Sequence, residues 1–443
     1  MKPIRYALAL LLLATAASAQ DTARMEQVID TYVKNRTFMG AVLVAKGEAL
    51  VLNKGYGFSN LEFETSNGPA NRFRIGSLTK QFTAASILLL EERGKLSTSD
   101  PIKKHMPDAP AAWDGITIHH LLTHTSGIPN FTAMKEFPAL RATATTVDKT
   151  IAVFRDKPLD FPAGEKMSYS NSGYLVLGYV IEKLSGGSYE AFVQANIFTP
   201  LGMTASGYDS RSRIIPQRAS GYQPGPGGFV NAGYVDMSVP HAAGALYSTT
   251  EDLLKWERAL LGGKLLSPAS LQKMLTPPKG DYAYGVVVRT VNGRRQVWHN
   301  GGIDGFNSCM VHYPETGVTV IVLGNVNGPA PDQLVTQLGA LAHGEAVSLP
   351  TERKEIPLPA AAAAYAGVYE FVPGTTMTIT HKGNQMFAQL TGQGAIEIFA
   401  ESEAAFFVKV VDAQITFGGD GGTVRHLVLH QNGRDQKATR IQP

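Results

Sequence analysis

The chain has 443 residues, 44% of them hydrophobic and 17% charged, with a formal net charge of +3. A chain so near neutrality has no electrostatic case for binding nucleic acid or an anionic membrane surface, and its single cysteine, Cys309, excludes an internal disulfide. The length suggests two or three domains and is ample for a buried core.

Residues 1–19 read as a secretory signal peptide: Lys2 and Arg5 precede the apolar run YALALLLLATAA, and a small-residue ASA ends at Ala19. Cleavage is expected before Gln20, giving a periplasmic or secreted mature chain. Losing Lys2 and Arg5 takes the charge from +3 to +1. No cysteine follows the cleavage site to carry a lipid, and no later stretch is long and apolar enough to predict a membrane span.

MGAVLVAKGEALVLNKGYG, from Met39, reads as two β-rich runs with a turn at Lys46 and Gly47. RIGSLTKQFTAASILLLEERG, from Arg74, reads as a helix. Leu78, Phe82, Ala85, Leu89 and their neighbours make it apolar on nearly every side, so it should be buried. Gly94 is its expected stop. Roughly 100–275 is helices and loops. SYEAFVQANIFTPLG and TTEDLLKWERALLGG both read as helices, and Thr249 or Thr250 should cap the second, ahead of Glu251 and Asp252. In TIHHLLTHTSG, His120 and His124 have helical i, i+4 spacing and His119 is adjacent. No Glu follows in the His-Glu-x-x-His manner and no carboxylate completes a ligand set, so neither a metal nor another cofactor is expected. From about 282 strands return, in YAYGVVVRTV, RQVWHN, NSCMVHY and GVTVIVLGNV. Cys309 lies in an alternating run and reads as a small core residue.

Composition shifts near 349. LPTERKEIPLPAAAAA, with three prolines and an alanine run, reads as a linker over 346–362 between a first domain, 20–345, and a small all-β domain, 363–443, of short strands and Gly, Asn and Asp turns.

Ser77 and Lys80 lie three residues apart, so on a helix they share a face about 5 to 6 Å apart. A serine hydroxyl is a poor nucleophile until a base takes its proton. Lysine is such a base only when neutral, which requires burial or a nearby cation to lower its pKa from about 10.4. The first turn also offers free N–H groups to a developing oxyanion. Taken alone, the pair reads more simply as a capping serine beside a solvated lysine.

Two further motifs follow in order: Tyr169-Ser170-Asn171 in FPAGEKMSYSNSGYLVLG, and His299-Asn300-Gly301 in QVWHNGGIDGFNS. Ser-x-x-Lys, Tyr-x-Asn and His-x-Gly in this order resemble the serine β-lactamase and penicillin-binding-protein superfamily. The likeness is to its class C branch with the related esterases, D-amino-acid peptidases and DD-carboxypeptidases, and it runs over about 25–345. HHLLTHTSGIP, PLGM and AAGALYSTTEDLLKW support it. The resemblance implies an α+β fold in which helices flank an antiparallel sheet built from both ends of the domain, with a helical insert and the cleft where the two meet. It implies Ser77 as the acylated nucleophile, Lys80 as its proton acceptor and Tyr169 as the proton shuttle, its phenol tuned by cations such as Lys80. It further implies backbone N–H groups of Ser77 and Gly302 as the oxyanion hole, with Asn171, Asn300 and Gly301 at the substrate and His299 among the catalytic positions.

His299 stands where β-lactamases usually carry lysine. Near pKa 6.5 a histidine is largely neutral at pH 7 and should hold a substrate carboxylate less strongly. The expectation therefore moves from antibiotic hydrolysis to a D-residue peptidase or amidase, with carboxylesterase, β-lactamase and a slowly deacylating penicillin sensor as alternatives. Asp304 and Phe306 fall on the expected cleft rim, as substrate contacts or as turn and core residues. YAGVYE and LVLHQNGRDQKATRI give the C-terminal domain a resemblance to a lipocalin-like β-barrel, in which Phe399, Phe406 and Phe407 line a cavity or fill the core. The expected partner is a small-molecule or peptide substrate, without nucleic acid or membrane insertion; oligomeric state is left open.

Overall fold

GAVLVAK carries apolar residues at every position before its lysine, the pattern of a strand covered on both faces. The structure is a computed structural model describing residues 22–225, 228–347, 353–408, 413–420, 423–431 and 434–442. The expected leader at 1–19 and part of the expected linker lie outside these residues. Helix α1 (22–34) leads into β1 (Gly40–Lys46) and β2 (Ala49–Tyr56). The long helices of the middle region are α2 (Thr79–Glu92), α3 (Asn171–Ser185) and α4 (Thr250–Leu261). Then come β3 (Val287–Val291), β4 (Arg294–Ile303), β5 (Phe306–Tyr313), β6 (Val318–Gly324) and α5 (Ala330–Ala342).

The sheet runs β3-β4-β5-β6-β1-β2 and is antiparallel throughout. Gly40 lies opposite Gly324 and Lys46 opposite Val318, so the N-terminal hairpin closes onto the C-terminal strands. Alternation sends Val42, Val44, Val320 and Val322 to one face, against Val28 and Ile29 of α1 and Leu334 and Leu338 of α5. Ala41, Leu43, Ile321 and Leu323 face the helical region instead. Each large side chain so buried contributes about 1.5–3 kcal/mol, so packing as well as the strand ladder holds the two ends together. Cys309 is buried in the α1/α5 layer, as its position in an alternating run predicts.

Helix α2 is buried at every position from Thr79 to Leu90, the burial expected of a helix apolar on all sides. Its Phe82 ring packs 4.2 Å from Trp256 of α4. Of the two candidate caps of α4, Thr249 serves, accepting from the Asp252 N–H at 3.2 Å. The run from Tyr189 is less regular than its pattern predicts: an α-helical stretch, Tyr189–Val193, passes into a π-helical turn, Gln194–Phe198.

Eight antiparallel strands, from Gly367–Val372 to Arg434–Gln442, close into a C-terminal barrel. Its alanine run is structured, forming a 3₁₀ helix, Ala360–Tyr365. Tyr365 stacks on Phe417 at 4.4 Å, and Tyr369, Phe406 and Met386 complete a filled interior. Phe407 is buried as well, with Phe399 beside it at 5.9 Å. Phe406 serves the core, while Phe407 and Phe399, each next to an inward-facing residue of its strand, pair on the other face.

Candidate active site

Ser77 sits in a single 3₁₀ turn, Gly76–Leu78, immediately ahead of α2. It caps nothing: neither that turn nor α2 has a side-chain cap. The turn is fixed from two sides. The Ile75 N–H donates to the Leu246 carbonyl at 3.0 Å, and the Ser308 hydroxyl of β5 donates to the Ile75 carbonyl at 2.8 Å. Gly76 takes φ +51°, and a Cβ there would lie 2.9 Å from the Gly302 nitrogen. A Cβ at Gly301 would lie 2.1 Å from the Ile75 oxygen and 2.9 Å from the Ser77 nitrogen. Only glycines let the β4 edge come this close to the serine turn, bringing the backbone nitrogens of Ser77 and Gly302 to one place.

Lys80 is completely buried, so the solvated-lysine reading does not hold. Its Nζ stands 3.0 Å from Ser77 Oγ, 2.8 Å from Asn171 Oδ1 and 2.8 Å from the Ala243 carbonyl. Burial pushes its pKa well below the usual lysine range. The Tyr169 ring lies 4.9 Å from Nζ, with its hydroxyl towards the Ser77 side chain. Burial raises the phenol above its ordinary value, the Ser77 hydroxyl opposing. The expected tuning by a cationic Lys80 gives way to this desolvation, because the lysine is itself pressed towards neutrality.

Asn171 opens α3. Its amide oxygen is taken up by Lys80, and its nitrogen donates to Thr132 Oγ1 at 3.2 Å. Its placement is thus at the lysine as well as at the cleft.

The period-2 alternation of β4 separates the third motif. His299 and Gly301 face the serine turn. Asn300 points to the other face, where its Nδ2 donates to Asp332 of α5 at 2.9 Å. His299 is buried, its Nδ1 2.5 Å from the Asn300 carbonyl and its Nε2 3.0 Å from the Tyr282 hydroxyl. A carbonyl only accepts, so Nδ1 carries the proton and Nε2 accepts from Tyr282. Burial above all lowers the His299 pKa to about 3. The ring is neutral, as the sequence predicts for a histidine here, and locked in one tautomer.

Ser77, Lys80, Tyr169, Asn171, His299, Gly301 and Gly302 therefore meet in one cleft, and the Asn300 side chain does not join them. Asp304 on the rim pairs with Arg141 at 2.8 Å, and Phe306 is core. Tyr56 and Tyr247 are buried, as core or cleft-wall residues.

His124, Tyr174 and Tyr282 complete the enclosure without having been singled out for the site. Only the run THTSG hinted at His124. The i, i+4 pairing of His120 with His124 is not realised, because the helix Ile118–Leu122 ends first and His124 takes φ +57°. Among the described residues no group of three or more His, Cys, Asp or Glu side chains is arranged to hold a metal ion, and no helix is long and apolar enough to cross a membrane.

The antiparallel sheet with its helical insert, and a cleft between them, is the fold of the penicillin-binding and β-lactamase proteins. Residues 25–344 match the family model Beta-lactamase, and the chain belongs to that family. Residues 351–442 match a second model, described as a domain of unknown function (DUF3471). Penicillin-binding protein 4* of Bacillus subtilis (strain 168) is 27% identical over 445 residues, covering 94% of this chain and 98% of its own. The penicillin-binding protein from Bacillus halodurans superposes with a TM-score of 0.65 at 31% identity, over 70% of this chain and 98% of that one. The D-stereospecific amidohydrolase from a Streptomyces species superposes with a TM-score of 0.63 at 26% identity, over 73% of this chain and 99% of that one.

Proposed function

We propose that the protein is an exported serine hydrolase that cleaves amide or ester bonds of peptide-like small molecules through an acyl-Ser77 intermediate, with D-residue peptides and amides as the leading substrates. The observation that carries this is the hydrogen-bond inventory of Lys80. A neutral amine has two N–H donors and one lone pair. The Ala243 carbonyl and the Asn171 amide oxygen, both acceptors, use the two donors. The lone pair is left facing Ser77 Oγ, 3.0 Å away. Lys80 then accepts the Ser77 proton as Oγ bonds to the substrate carbonyl carbon. The resulting ammonium has three N–H donors and three oxygens around it, so both protonation states are satisfied.

The tetrahedral oxygen is held by the backbone N–H groups of Ser77 and Gly302. Tyr169, beside Ser77, passes a proton to the departing amine or alcohol as the carbonyl reforms, and takes one from the water that hydrolyses the ester. A neutral His299 gives no fixed charge for a substrate carboxylate. This favours amides and esters over acidic antibiotics, and the likeness to a D-stereospecific amidohydrolase points the same way. The names of the penicillin-binding relatives favour a second reading, in which the acyl-enzyme persists and the protein senses rather than turns over.

Fluorophosphonate labelling of the wild type and of Ser77→Ala tests the nucleophile: labelling should vanish in the variant, and equal labelling of both overturns the proposal. D- and L-aminoacyl anilides beside short-chain p-nitrophenyl esters sort peptidase from esterase. Mass spectrometry after mixing with a penicillin distinguishes turnover from a lasting adduct.

A further inference from the structure

We propose that His124 is a positioning residue that sets the Tyr169 phenol against Ser77 and Lys80, an inference that rests on the acyl-serine reading above. Tyr169 lies in a stretch without regular structure just ahead of α3, where nothing in its own secondary structure fixes its φ, ψ or ring. His124 grips it on both sides. Its carbonyl accepts from the Ser168 N–H at 2.9 Å, and its Nδ1 accepts from the Ser170 N–H at 3.1 Å. Its ring packs against the Tyr169 ring with centroids 4.2 Å apart, tilted by 39°. Behind it stand Tyr282 at 4.5 Å and Tyr174 at 5.1 Å.

Three features set this histidine apart from an ordinary core residue. It is almost fully buried, 1% exposed. It holds a left-handed φ of +57°, which a residue other than glycine keeps only when its surroundings demand it. Its Nε2 is buried with no hydrogen-bond partner in the protein. Since Nδ1 accepts, Nε2 carries the proton, and the fold leaves a polar N–H unpaired against the tyrosines to keep an acceptor under Ser170. Protonation would turn Nδ1 into a donor facing another donor and break the grip. Burial holds the ring neutral, pushing its pKa well below the ordinary histidine value.

Asparagine and glutamine separate the contributions. Asn presents its oxygen near the place of Nδ1 and tolerates left-handed φ; Gln is of similar polarity but carries its oxygen further out. The experiment measures kcat, KM and Tm for hydrolysis of a short-chain p-nitrophenyl ester by the full chain, in wild type, His124→Asn, His124→Gln and His124→Ala, each also combined with Tyr169→Phe. Ser77-dependent hydrolysis by the wild type is established first; its absence would count against the acyl-serine reading and not against His124 in particular. The expected result is a kcat lowered about 100-fold in His124→Ala and His124→Gln with KM within about threefold, and recovery to within about tenfold of wild type in His124→Asn. In the Tyr169→Phe background the same changes should cost less than about threefold, because there is no phenol left to position. Fully additive losses in that background would show a general packing role and overturn the proposal. So would equal kcat in the Asn and Gln variants, which decides the matter even if His124→Ala does not fold.

Discussion

The cleft and the barrel solve opposite problems with the same material. Among the described residues, the hydrolase region buries Lys80, His124, His299, Asp209, Asp252 and Glu257, whereas the barrel interior contains no lysine, histidine or carboxylate. Burying such groups costs stability unless partners are supplied. Asp209 pairs with Arg74 and Arg218, Asp252 with Lys255 and Glu257 with His312. Lys80, His124 and His299, the three that gather at the serine, have no carboxylate beside them among the described residues. The barrel fills mainly with aromatic and aliphatic side chains. Polar groups buried without an opposite charge mark the cleft as the place of the chemistry.

Replacing Lys80 with methionine attacks the contrast at its centre. It removes the base while keeping the volume, so kcat should fall by about 1,000-fold or more. Tm should change little, because removing an amine that the unfolded chain protonates below about pH 10.4 offsets the hydrogen bonds lost at Asn171 and the Ala243 carbonyl. Steady-state kinetics with calorimetry check both, and retained turnover would remove the lysine from the mechanism. Phe406→Ala is the mirror experiment. A cavity in the barrel should cost about 3–5 kcal/mol of barrel stability in urea melts, while the rate of fluorophosphonate labelling at Ser77 stays as in wild type.

Acid sharpens the contrast more gently. His299 has its pKa lowered from 6.5 to about 3 in the folded state. Between those values the unfolded chain binds a proton that the folded chain refuses, so stability from this group falls as pH drops from about 6.5 towards 3. Hydrogen exchange followed down that range should show β4 losing protection before the barrel strands; the reverse order would break the comparison. The smallest effect is expected from Asn300→Ala. It leaves Asp332, already raised in pKa by burial, short of a donor, for a loss of about 1–3 kcal/mol. KM should remain within about threefold, since the side chain faces away from the cleft.

Much of this architecture was legible because it rests on local pattern. The all-apolar run of α2 meant burial, and the two β-rich runs from Met39 meant a hairpin, which β1 and β2 form. The ordered Ser-x-x-Lys, Tyr-x-Asn and His-x-Gly motifs located most of the cleft. Asn300 was misleading because adjacency in a motif says nothing about which face of a strand a residue occupies. His124 went unassigned because its spacing from His120 suggests one helix face, and only the break after Leu122 turns it towards Tyr169.

By itself the sequence determined many of the strands and some of the helices, though not α1 or α5, that α2 must be buried, and that a serine and a lysine lie one turn apart. Those follow from periodicity and side-chain chemistry acting over a few residues. Only the tertiary structure decided that Lys80 has just two outside acceptors, that His299 is held neutral in one tautomer, and that a histidine 45 residues before Tyr169 grips both its flanks. Protonation and tautomer depend on desolvation and on partners from distant parts of the chain, and these exist only once the chain has folded.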